Sequence, residues 1–206
     1  MLVTFRTPLV IILLSSLLAC TSVPSRDEFT ASYKLNTSSN DTVSVTITTE
    51  KVINGGAMST MPIGATGTIV TSNGPVKAKW AYGHNDQMQV AEDLVKILKN
   101  NNTFKKIDLV TNNDTINSDY LINLRFHSTE HCCDRWYYIV DFSIEITDKN
   151  GAVVMKQREK FESNTASEVL NYSESFANAL VPAKHKTKEK VLNISTQAIQ
   201  KWLSKS

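Results

Sequence analysis

The sequence predicts an α+β domain in which an antiparallel sheet carries helices packed on one face, two layers in all. Three observations predict it. From Tyr120 to Phe161, three runs of alternating apolar and polar residues are separated by breaks, the period of half-buried strands. Two other stretches, Asp86 to Leu98 and about Thr187 to Leu203, repeat apolar residues at helical spacing. The resulting order of strands, helix, meander and helix, with no internal repeat, suits helices segregated onto one side of a sheet.

The first strand is expected at Thr42–Thr48, where Val43, Val45 and Ile47 alternate with hydroxyl residues, and Asn54-Gly55-Gly56 breaks the run that follows. Gly67–Thr71 and Val76–Tyr82, joined by Ser72-Asn73-Gly74-Pro75, read as a hairpin. Asp86 with Gln89 three residues on resembles a capping box, and Met88, Ala91, Leu94, Val95 and Leu98 then recur on one helical face until Asn100-Asn101-Asn102. A short strand is expected around Phe104–Val110. Tyr120, Ile122, Leu124 and Phe126 begin the meander, and Trp136 to Ile146 continues it. Asp148-Lys149-Asn150-Gly151 turns the chain into a last strand at Ala152–Phe161. Ser163–Glu174 reads as a polar loop, followed by a short helix ending near Pro182. In the final helix Val191, Ile194, Ala198, Ile199 and Trp202 form the stripe to be buried.

The amino-terminal segment has its own chemistry. Arg6 and the amino terminus precede a mostly apolar run from Pro8 to Leu18, shorter than the ~20 residues a helix needs to cross a bilayer. The run closes on Leu17-Leu18-Ala19-Cys20, with a small residue before a thiol that can take a thioether-linked lipid. This quartet resembles the lipobox of bacterial lipoproteins, with Leu17, Ala19 and Cys20 on its fixed positions. The resemblance implies a signal peptide at residues 1–19 and cleavage before Cys20. It further implies a covalent diacylglycerol and N-acyl lipid on Cys20, since stable anchoring takes more than one acyl chain. Thr21, where related enterobacterial lipoproteins use Asp for inner-membrane retention, implies an outer-membrane address on the periplasmic face. Residues 20–40, polar and rich in Ser and Thr, read as the lipidated end of a flexible tether, which leaves residues 41–206 as the periplasmic domain.

Composition narrows the function. Of 206 residues, 22 are basic and 20 acidic, and residues 1–19 remove Arg6 and no acid. The near balance argues against a nucleic-acid binder. Apart from Cys20 only Cys132 and Cys133 remain, so there is no CxxC and no zinc or multi-disulfide framework. The adjacent pair can close a vicinal disulfide, pair between molecules, or stay reduced in the interior. No cofactor is implied beyond the lipid.

Three groups compete for a functional role. His127, Glu130, His131 and Asp134 fall in an octet that matches the inverted zinc-peptidase pattern. That chemistry needs both histidines on one face of a helix, whereas the octet lies between alternating strands and reads as a connecting loop. Lys184, Lys186, Lys188 and Lys190, with His185, crowd the expected start of the last helix, where cations oppose the macrodipole. They read as a solvated face or as a contact for anionic headgroups. Trp80, Tyr82, Trp136, Tyr137 and Tyr138 could line an apolar groove, but sheet alternation assigns most of them to the core. Tyr137, on the opposite face from Trp136 and Tyr138, should meet solvent or a second layer.

No GxSxG and no phosphate-cradling glycine loop is present. The helix AEDLVKILKNNNTFKKIDLV, the strand opened by Asp119-Tyr120 and the turn at Asp148–Gly151 resemble the auxiliary lipoproteins of ABC-type lipid transport in pattern. That resemblance implies a non-catalytic accessory or binding module with an envelope protein partner or a lipid ligand. A metal-dependent hydrolase built on the octet and a surface-exposed adhesin or immunity-type lipoprotein are the alternatives.

Overall fold

The computed structural model describes residues 25–54, 82–110, 117–131, 137–163 and 176–205. Its elements are helix α1 (Arg26–Ala31), strands β1 (Ser39–Thr49) and β2 (Val52–Asn54), helix α2 (His84–Asn100), strand β3 (Phe104–Leu109), strands β4 (Tyr120–His131), β5 (Tyr138–Asp148) and β6 (Val153–Glu162), and helix α3 (Phe176–Leu203). The fold is α+β. The expected hairpin at 67–82 lies outside the described residues except for Tyr82.

The sheet runs β3-β1-β4-β5-β6, with β2 continuing alongside β4 beyond the end of β1. It is mixed, not purely antiparallel as expected. The meander β4-β5-β6 is antiparallel, but β1 lies parallel to both β3 and β4, with Val43 opposite Ile107 on one side and Tyr120 on the other. Two-residue alternation gives a strand its faces and says nothing about its direction. The chain from β1 to β3 contains α2 and is long enough for the crossover that parallel neighbours require.

One sheet face supplies the core. Val43, Val45 and Ile47 of β1, Ile122, Leu124 and Phe126 of β4, and Val140, Phe142, Ile144 and Ile146 of β5 are buried in one cluster with α2 and α3. From α2 come Val90, Ala91, Leu94, Ile97 and Leu98, and from α3 Val191, Leu192, Ala198 and Ile199. Full burial of a side chain such as Leu94 or Ile144 is worth about 1.5–3 kcal/mol over exposure. Ile194 and Trp202 of the expected stripe are partly buried, with the Trp202 ring 4.9 Å from Tyr120 and 6.2 Å from Phe104. Among the described residues no helix is long and apolar enough to cross a membrane.

Four local expectations change. The presumed tether is structured from Ser25 onward. Ser25 Oγ accepts from the Glu28 amide and Glu28 reaches back to the Ser25 amide, a complete capping box that starts α1, and Phe29, Thr30 and Leu35 are buried. The last helix does not restart after Pro182. It runs through this residue, so the lysines 184–190 sit in mid-helix, away from a terminal dipole. Tyr137 is 4% exposed, so of the two positions inferred from alternation, solvent or a second layer, solvent is excluded. It lies one residue before β5, where the alternation of the strand does not yet apply. At α2, Asp86 returns a bond to the Gly83 amide at 3.2 Å, so it caps the helix without Gln89.

Candidate functional site

The sheet face opposite the helices is polar, and its center is His127. β4 carries a bulge between Phe126, opposite Phe142, and Ser128, opposite Asp141, so His127 is the extra residue. A bulge re-aims its side chain. On the other flank the chain passes from β1 to β2 through Glu50 and Lys51, whose backbone bonds to Phe126 and Thr129 keep Glu50 beside the bulge. His127 Nδ1 lies 3.0 Å from Glu50 Oε2 and Nε2 lies 2.9 Å from Ser143 Oγ. Around them Arg125 approaches Glu50 at 3.3 Å, Lys156 pairs with Glu145 at 2.5 Å, and Arg158 binds Asp141 through two bonds of 2.9 and 2.7 Å. The Lys156 bond holds the Glu145 carboxyl below its usual range, and the Arg158 fork does the same for Asp141.

Ser143, His127 and Glu50 have the connectivity of a hydrolytic triad. The hydroxyl, however, has no exposed surface, so a substrate has no path to it. The histidine octet is also corrected. His127 through His131 belong to β4, not to a loop. The bulge interrupts two-residue alternation at Phe126, which disguised the continuation of the strand. Strand geometry lacks the one-turn spacing of the zinc motif, and both ring nitrogens of His127 face protein partners. Among the described residues no three His, Cys, Asp or Glu side chains gather for a metal. Glu130 stands opposite Ile139 and His131 opposite Tyr138 in the ladder. Cys20, Cys132, Cys133 and Asp134 lie outside the described residues, as do Trp80 and Trp136.

The second site lies between α2 and α3. Tyr82, Asp86, Gln89, Lys184, His185 and Lys188 line a cleft of 210 Å³. Lys184 pairs with Asp86 at 2.8 Å. Lys188 pairs at 3.0 Å with Asp93, which is fully buried and also accepts from Arg26 Nε of α1. Arg26 holds Glu92 at 2.8 Å as well, and these two carboxylates raise its guanidinium pKa further. The Phe29 ring of α1 lies 5.2 Å from the His185 ring, tilted 56° to it, and 5.0 Å from Lys188 Nζ. Lys190 donates to the Glu162 carbonyl at 2.5 Å and lies 5.8 Å from the Phe161 ring. Lys184, Lys188 and Lys190 are therefore engaged inside the fold, and Lys186 also has a partner.

Tyr82 forms the floor of this cleft. Its carbonyl accepts from Gln87 Nε2 and Thr129 Oγ1, each at 3.2 Å, and its ring lies 5.7 Å from Tyr138 and 6.2 Å from Phe126. The hydroxyl is buried without a hydrogen-bond partner. Burial, and then the neighboring carboxylate of Asp86, push the phenol pKa well above its ordinary value. Tyr82 thus serves in the core, as alternation indicated, and also lines the cleft. Asp93 and Arg26 were missed in the sequence. The available signal was an acid on the apolar stripe of α2, between Ala91 and Leu94.

No family model matches the sequence, and no curated protein does. Among solved structures, an uncharacterized protein matches with a TM-score of 0.41 at 11% identity, over 80% of this chain and 95% of that one. A Helicobacter pylori protein assigned as a homologue of the neuraminyllactose-binding hemagglutinin matches with a TM-score of 0.41 at 8% identity, over 84% of this chain and 95% of that one.

Proposed function

We propose that this chain is a lipid-anchored envelope protein, attached to the outer membrane through Cys20, whose periplasmic body works by binding and not by catalysis. The observation that carries the reading is Leu17-Leu18-Ala19-Cys20 followed almost at once by folded chain. Only residues 21–24 separate the thiol from the Ser25 cap of α1. Extended chain covers at most about 3.6 Å per residue, so the body is held within about 18 Å of its lipid. It works at the headgroup surface, the setting of an accessory module that handles lipid or braces a membrane complex. The sealed hydroxyl of Ser143 supports binding over hydrolysis.

The test is Cys20→Ser in cells fed labelled fatty acid. The wild type takes up label and sediments with membranes, and the variant does neither. Unchanged label and sedimentation in the variant would refute the anchor. Crosslinking in the native membrane then identifies the partner or the co-purifying lipid.

A further inference from the structure

We infer that the cleft between α2 and α3 is a binding site for a compact oxyanion, a phosphate or phosphomonoester group. The inference goes beyond the anchored-module reading. None of its residues lies in the lipobox, so either can fail alone.

Several donors converge there. The Tyr82 hydroxyl is buried and bonds to nothing. A buried polar group left unpaired costs about 1–3 kcal/mol, so such an atom in a native fold calls for a partner. Burial, and then the nearby Asp86 carboxylate, keep the phenol protonated, so its hydroxyl is a donor. Lys184 and Lys188 add two ammonium groups, and Gln89 adds an amide. Helix α2, 17 residues long, begins at the same place, with Asp86 in its first turn. Its first amides and positive dipole end favor an anion there.

One protein carboxylate already occupies part of this position. Asp86 caps Gly83 and holds Lys184, the arrangement of an internal anion standing where an external one binds. It cannot also serve Tyr82, whose hydroxyl remains orphaned. A phosphate group, with three or four oxygens, can accept from Lys184 and Lys188 together, and from the Tyr82 hydroxyl once the side chains that cover it part. The lining carries two lysines and one aspartate, and an incoming anion competes with Asp86 for Lys184 and with Asp93 for Lys188. A volume of 210 Å³ holds several waters at about 30 Å³ each, hence room for the anion and part of an attached ester. The source is either a free phosphate compound or a phospholipid headgroup, which the membrane-proximal body would meet.

The experiment uses the full lipidated protein in neutral detergent. Inorganic phosphate and glycerol 3-phosphate are titrated calorimetrically against chloride of equal ionic strength. The expected result is saturable binding at one site, weakened about fivefold by Tyr82→Phe and about tenfold by Lys184→Gln. Lys106→Gln, on the far edge strand, leaves it unchanged. Tighter binding of the ester, with wild type retained on phosphatidic acid vesicles more than either variant, identifies a headgroup. Tighter binding of inorganic phosphate identifies the free anion, and both outcomes support the site. Absence of saturable binding by both anions overturns it, as does equal affinity in wild type, Tyr82→Phe and Lys184→Gln. Retention on vesicles without binding of either soluble anion overturns it too.

Discussion

Asp93 is the group on which the attachment of α1 depends, and its removal has a calculable cost. The carboxylate is fully buried and takes Arg26 on one oxygen and Lys188 on the other. Hydrogen bonds to charged partners are worth about 1.5–3 kcal/mol each. Asp93→Ala deletes one such bond, from Arg26, together with the ion pair to Lys188, and the two cations do not suffer equally. Arg26 is 42% exposed and keeps Glu92, so water and that acid recover much of its loss. Lys188 is only 16% exposed and is left beside the Phe29 ring with little water. The cost should therefore fall near the value of one such bond, about 2–3 kcal/mol, below the 3–5 kcal/mol of a wholly enclosed pair. For a domain of this size that lowers Tm by about 4–12 °C. Urea unfolding followed by far-UV circular dichroism measures it, with an unchanged slope as evidence that the unfolded state is the same. Arg26→Gln should cost about 1 kcal/mol. The deficit of Asp93→Ala should survive high salt, which screens exposed pairs and spares buried ones. A loss below about 0.5 kcal/mol for Asp93→Ala would refute the reasoning.

Other expectations follow from the same geometry. Phe126→Ala removes a fully buried ring set against Tyr82 and Phe142 and should cost about 3–5 kcal/mol in the same urea assay. Gly151 has φ of +82° with open space around its missing Cβ, so Gly151→Ala should cost about 1–2 kcal/mol from backbone strain alone, read as a lower urea midpoint. Lys156→Gln tests the polar face. Lys156 depresses the folded pKa of Glu145, so its stabilization is fully present above the unfolded carboxyl value near pH 4.3 and is lost as pH falls through the lower folded value. Because Lys156 is 52% exposed, the difference from wild type should stay under about 1 kcal/mol at pH 7 and vanish in acid, as seen in unfolding curves collected from pH 7 to pH 2.

The meander and both long helices were legible because their patterns are local. Ile122, Leu124 and Phe126, or Leu94 and Leu98, announce a face within a few residues. The parallel placement of β1 was not legible, because pairing of Val43 with both Ile107 and Tyr120 is decided by distant chain. α1 was overlooked although Ser25-Arg26-Asp27-Glu28 spells its cap, since six residues give no periodicity to see. Of the polar sites, the residues were visible and their partners were not. His127 stands out in the sequence, but Glu50 reaches it from the β1–β2 connection and Ser143 from β5. Lys184 and Lys188 were noticed as a charge run, and only the passage of α3 through Pro182 turns them toward Asp86 and Asp93.

The interior seat of β1 also bears on how such a protein is made. Its flanks are filled by Phe104–Leu109 and Tyr120–Phe126, segments synthesized long after it. A nascent chain therefore cannot lock β1 into place until β3 and β4 have been made. The same delay leaves two bare strand edges in contact with whatever else is emerging, a hazard that a holding chaperone would relieve.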